Sequence, residues 1–202
     1  MLKSIKSVAR LMTATVIAGA APAGATVLSF DDLPAATAAF LANYNGFTFG
    51  TNNAQTTAWL HSSEASTFYV PSSGSVYAVT DAQKSSGDIF EDSQPISRAT
   101  PFIFDGASFS GINQVRYTLY NGSTQVYLSP DSPELPRGSS IFIPSGYGGL
   151  ITSVVISGRQ GFFAVDDFTF TSPVPEPATF GMFALGILGI CGYWLARRRR
   201  HF

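Results

Sequence analysis

QVRYTLYNGSTQVYLS, residues 114–129, decides the fold class. Val115, Tyr117 and Leu119 alternate with Arg116, Thr118 and Tyr120, so the two sets lie on opposite faces of a strand. After Asn121-Gly122 the alternation resumes through Thr124–Ser129. An Asn-Gly pair between two alternating runs predicts a two-residue type I′ hairpin, because both residues tolerate positive φ.

The same pattern recurs on either side. TVLSF (26–30), NGFTFGT (45–51), TFYVP (67–71), SVYAVT (75–80) and PFIFD (101–105) read as short strands. So do SSIFIP (139–144), ITSVVISG (151–158), FFAVD (162–166) and DFTFT (167–171). Turn pairs such as Asn45-Gly46, Ser73-Gly74, Asp105-Gly106 and Ser157-Gly158 separate them. One helix is expected over Leu33–Ala42, capped by Asp31 or Asp32. Many short strands at this spacing predict an all-β protein, a jelly-roll-like antiparallel β-sandwich over residues 26–172.

Charge is segregated along the chain. Lys3, Lys6 and Arg10 lie at one end and Arg197, Arg198, Arg199 and Arg200 at the other. Between them five bases face all 13 acids, a net charge of −8. Such a region has no patch to neutralise phosphates, so nucleic acid is not an expected partner. The only cysteine, Cys191, lies in the last apolar run, so the sandwich has no disulfide, no Cys-ligated zinc and no thiol nucleophile.

Two acidic pairs stand at the ends of the sandwich, Asp31-Asp32 and Asp166-Asp167. First and last strands of a jelly roll are commonly neighbours, which brings four carboxylates together. Hard oxygens in that number suit a structural calcium ion. The other reading sends one Asp of each pair to solvent and the other to backbone amides, because adjacent strand residues point to opposite faces. Asp88, Glu91 and Asp92 read as a solvated loop. No catalytic constellation emerges, and an enzyme is not expected. His61 is the only histidine before the arginine tail, and no serine sits in a Gly-x-Ser-x-Gly elbow. Trp59, Tyr69, Tyr77, Tyr120 and Tyr147 offer either sugar-stacking faces or core-filling rings.

The ends carry the address. Residues 1–25 have a basic start, an apolar run from Leu11 to Ala21 and small residues at Ala23 and Ala25, the form of a signal peptide cut by signal peptidase. Cleavage is expected after Ala25, with Ala23 as the second site. Residues 178–196 form an uncharged apolar run, about 28 Å long as a helix and so close to the thickness of a bilayer core. The arginines of 197–202 hold its far end in the cytoplasm. Residues 173–177 form a Pro-rich neck containing Val174, Pro175, Glu176 and Pro177, where paired prolines forbid helix.

VPEP, apolar helix and arginine cluster, in that order, resemble the PEP-CTERM sorting signal of Gram-negative bacteria. The resemblance covers roughly the last thirty residues. It implies an exosortase as partner, a precursor anchored in the inner membrane with its sandwich in the periplasm, and release to the cell surface or matrix. It also implies association with exopolysaccharide in biofilm-forming cells. Phe30-Asp31-Asp32, the Tyr44-x-Gly46-Phe47-x-Phe49 strand and Phe163-Ala164-x-Asp166-Asp167-Phe168 are similar to ectodomains of such sorted proteins. Those in turn look like galactose-binding-type and carbohydrate-binding modules. Phe49 stands where that pattern has Trp.

Overall fold

A computed structural model describes residues 24–50, 58–64, 66–80, 90–159, 163–173 and Gly186. Residues 24–173 of that set belong to one compact unit. Thirteen strands build it: β1 Ala25–Leu28, β2 Ala39–Phe40, β3 Asn43–Tyr44, β4 Phe47–Phe49, β5 Trp59–Ser62, β6 Tyr77–Thr80, β7 Phe90–Asp92, β8 Ile96–Gly111, β9 Val115–Asn121, β10 Thr124–Leu128, β11 Ile141–Pro144, β12 Ile151–Arg159 and β13 Phe163–Thr171. Every pairing is antiparallel. The all-β class read from the alternation therefore stands.

The strand order β10-β9-β12-β8-β13-β6-β5-β2 forms one continuous sheet, and β8 is where it folds over. Residues 96–102 of β8 pair with β12 and β4, whereas 103–111 pair with β13 and β11. Between Ser97 and Phe102 five steps of β8 face two of β12, an extended bulge that turns the strand. The two halves close on an aromatic core. Phe47 of β4 meets Phe168 and Phe170 of β13 edge-on at 5.5 and 4.8 Å, and Phe104 of β8 meets Tyr117 of β9 at 4.9 Å. Edge-to-face pairs add ~0.5–1.5 kcal/mol beyond the area they bury. Arg98, inside the bulge, lies over the Phe47 and Phe170 rings and donates to Ser172 Oγ.

Val115, Tyr117 and Leu119 are all buried, as their alternation requires. The hairpin turn differs from expectation by one residue. Asn121 pairs with Thr124, so the loop is Gly122-Ser123. Only Gly122 has positive φ (61°), the pattern of a type II′ turn. The type I′ turn lies instead at Asn45-Gly46, where both residues have positive φ and Tyr44 pairs with Phe47.

Leu33–Ala42 forms no helix. After one turn closed by Leu33 N–H to Phe30 C=O, the chain runs extended into β2, which pairs with β5. Ala36 and Thr37 are held by the hydroxyls of Ser63 and Ser62. Asp31 and Asp32 spend their carboxylates on other partners, so no helix cap remains. TFYVP is not a strand, and its amide at Val70 is taken by Ser110 Oγ. The backbone of Glu91 and Asp92 lies in β7 rather than in a loop, while Asp88 lies outside the described residues.

One further element closes an edge. Ser129-Pro130-Asp131-Ser132-Pro133-Glu134-Leu135-Pro136 runs beside β9. The Ser129, Ser132 and Leu135 N–H groups donate to the Tyr117, Val115 and Asn113 carbonyls. The hydroxyls of Ser129 and Ser132 accept from the Tyr117 and Val115 N–H groups. Three strap residues advance for every two of β9, and each proline follows an anchor, where no donor is needed. The strap thus satisfies strand groups that an open edge would leave for another chain.

Candidate functional site

The first and last strands are neighbours: Ala25–Leu28 of β1 pair with Thr171–Phe168 of β13. This brings Asp31 toward Asp166 and Asp167. Strict alternation would send the last two to opposite faces. Asp167 has φ 46°, and the register against β8 shifts between Asp166 and Thr169. The left-handed residue at this bulge turns both carboxylates onto one loop, Ser72–Ser75. Asp is among the few residues that tolerate this conformation.

Asp166 Oδ2 accepts from Ser72 N–H (2.8 Å), Ser73 N–H (3.0 Å) and Ser72 Oγ (3.1 Å), while its Oδ1 accepts from Asp167 N–H (2.8 Å). Asp167 accepts from Ser72 Oγ (2.5 Å) and Ser73 Oγ (2.9 Å). Asp31 Oδ1 accepts from Ser75 N–H at 3.0 Å. Asp32 turns away and accepts the Tyr44 phenol. Burial, then that hydrogen bond, raises the Tyr44 hydroxyl above its ordinary value. Asp166 is almost fully buried. Loss of water raises its carboxyl from 3.8 to about 6, against the pull of the Ser73 and Asp167 amides.

Three carboxylates therefore converge on one loop, Asp31 and Asp166 held by N–H and O–H donors of the chain itself and Asp167 by hydroxyls. Among the described residues no group of three or more His, Cys, Asp or Glu is arranged to hold a metal ion. Asp31 and Asp166 accept backbone amides, whereas Asp166 and Asp167 face the same loop instead of opposite faces. Gly74 completes the clasp. Its φ is +48°, and a Cβ there would lie 1.8 Å from Asp31 Oδ1. Gly74→Ala is expected to expel the Asp31 carboxylate and lower stability by ~2–3 kcal/mol, read as the urea midpoint.

The aromatic candidates divide. Trp59 is buried, with Nε1–H donating to the Gln94 carbonyl, and Phe49 packs edge-on against it at 6.0 Å. Tyr77 is buried, with its hydroxyl on Glu64 C=O. Both fill the core. Tyr69 and Tyr120 are partly buried. Tyr147 stacks on Tyr127 at 5.4 Å and 24°. That pair stands beside a groove of about 310 Å³ between the strap and β11, with Tyr117, Tyr127, Pro130, Asp131, Ile143 and Pro144 among its walls. Tyr127 and the strap were missing from the sequence reading; the Ser-Pro-acid repeat at 129–134 is the signal that could have found them. His61 is buried, and its Nδ1 has no hydrogen-bond partner among the described residues.

Val174, Pro175, Glu176, Pro177 and Arg197–Arg200 lie outside the described residues, as do 1–23 and all of 178–196 except Gly186. Among the described residues no helix is long and apolar enough to cross a membrane. No curated protein and no solved structure matches the chain. Residues 173–200 match the family model described as the PEP-CTERM protein-sorting motif, and the chain carries that sorting motif.

Proposed function

We propose that the chain is exported, held at the inner membrane by residues 178–196, and processed by an exosortase at the neck. Its β-sandwich, wound in jelly-roll-like fashion, then serves as a non-enzymatic structural or adhesive component of the cell envelope or extracellular matrix, among exopolysaccharide. The observation that carries this reading is the sorting motif at 173–200. A motif of this kind implies exosortase processing in general. Four arginines directly after an apolar run stop transfer and keep the tail cytoplasmic, leaving the acidic domain outside.

The structure bears on the amino-terminal cut. β1 begins its pairing with β13 at Ala25. Cleavage after Ala23 leaves the ladder whole, whereas cleavage after Ala25 removes its first residue. Retention of the Ala25–Thr171 pair supports the Ala23 site.

Mass spectrometry of the protein from its host, with and without the exosortase, tests the proposal. The expected mature form starts at Gly24 and ends near the VPEP motif, and the carboxyl-terminal cut disappears in the mutant. An intact arginine tail in both strains would make the chain a permanent membrane anchor and end the matrix role. A second reading, a carbohydrate-binding module, is favoured by the Tyr127–Tyr147 stack beside an open groove.

A further inference from the structure

The groove between the strap and β11 has walls whose polar atoms are almost all occupied. Ser129 and Ser132 hydroxyls accept from β9 and donate to the Pro130 and Pro133 carbonyls. Tyr117 donates to Ile143 C=O, and Ser145 Oγ to Tyr147 C=O. Among the described residues the Asp131 carboxylate and the Tyr127 hydroxyl have no hydrogen-bond partner. Tyr127 reaches across Gly146, where a Cβ would lie 2.8 Å from its hydroxyl. Gly146 (φ +74°) thus leaves the space that this phenol uses.

Charge narrows the occupant. No Lys or Arg lines the groove, and Arg137, the base next to the strap in sequence, lies over the Phe68 ring. An acceptor without a countercharge, in a region of net charge −8, repels uronate, sulfate and phosphate groups. It accepts hydroxyl donors well. Backbone chemistry narrows it further. Pro130, Pro133 and Pro144 have no N–H, and the strap's Ser129, Ser132 and Leu135 amides already face β9. An extended peptide would find few main-chain donors to pair with, which removes the usual source of its affinity. Aromatic and proline faces with one carboxylate and one free phenol suit a ring that has C–H on its faces and hydroxyls at its rim.

We propose that this groove binds a neutral polysaccharide, with pyranose faces lying on Tyr127 and Pro130 and ring hydroxyls donating to Asp131. The proposal rests on the reading above only in placing polysaccharide within reach of the domain. It is tested with the full-length chain in detergent, applied to immobilised dextran, laminarin, galactan and xylan, and to alginate as the polyuronate. The expected result is saturable retention on at least one neutral polymer and none on alginate. Asp131→Ala and Tyr127→Ala should each weaken retention ~10-fold, as loss of a central aromatic or charged anchor does. Thermal melts accompany both. If Tyr127→Ala loosens the fold, the exposed Asp131→Ala decides. No retention on any neutral polymer, retention on alginate, displacement by poly-L-proline, or retention unmoved by both substitutions would overturn the assignment. Such a failure leaves the sorting reading untouched, because that is decided by the mature chain ends.

Discussion

Phe168→Ala should be the most damaging single substitution in the sandwich, with an expected loss of ~3–5 kcal/mol. Phe168 is fully buried. Its ring stacks on Phe104 at 4.7 Å and meets Phe47 at 5.5 Å and Phe102 at 6.5 Å. These partners come from β4 and β8, so the cavity left by alanine opens between the two halves of the sheet. Collapse into it is restricted. Leu28 pairs directly with Phe168, and the bulge at Asp167 fixes the backbone beside it. Domains of this size hold only ~5–15 kcal/mol in total, so the loss takes a large share of the stability. Urea unfolding at constant m-value is the measurement. A midpoint shift worth less than ~1 kcal/mol would mean that the two halves do not depend on this contact. Phe168→Leu keeps most of the volume and should retain roughly half of the lost stability or more.

The fold was largely legible because alternation is a direct consequence of strand geometry. Val115, Tyr117 and Leu119 declared their face, and Phe168 and Phe170 declared theirs. The errors have identifiable physical origins. The 33–42 stretch has helix-forming alanines and a nearby aspartate pair, but the aspartates are taken by long-range partners, Ser75 and Tyr44, which local sequence cannot show. Trp59–Ser62 does not alternate cleanly, since Trp59, His61 and Ser62 are all buried, and so β5 went unread as a strand. The meeting of β1 with β13 was foreseeable from topology, and it brings Asp31, though not Asp32, to the loop that holds Asp166 and Asp167. The facing of their carboxylates was not, because it depends on positive φ at Phe30 (61°) and Asp167 (46°), residues for which sequence gives no such signal. The groove likewise depends on a proline strap whose partners lie twelve to twenty-two residues away.

Asp166 makes the clasp a pH-dependent part of the fold. Asp166→Ala removes the acceptor for the Ser72, Ser73 and Asp167 amides at once. Buried donors left unpaired cost ~1–3 kcal/mol each, and partial access of water to the loop leaves an expected loss of ~3 kcal/mol for the set. The titration runs opposite to that of an ordinary ion-paired carboxylate. Its folded-state value, about 6, lies above the unfolded one, 3.8, so the folded state binds more protons between them. The contribution of Asp166 to stability is therefore greatest at pH 4 and below, falls as pH rises to about 6, and is flat above that. The swing is ~1–2 kcal/mol, smaller than the full shift implies, because amide donors partly replace the lost water. Asp166→Asn should abolish the slope between pH 4 and pH 6, at the cost of turning one amide against the Asp167 N–H. A calcium ion at this site would reverse the prediction. It would hold the carboxylates ionised, make stability rise through the same window, and make the melting temperature fall on adding EGTA. Melting curves at pH 4, 5, 6 and 7, each with and without EGTA, separate a clasp made of the chain's own amides from one closed by a metal.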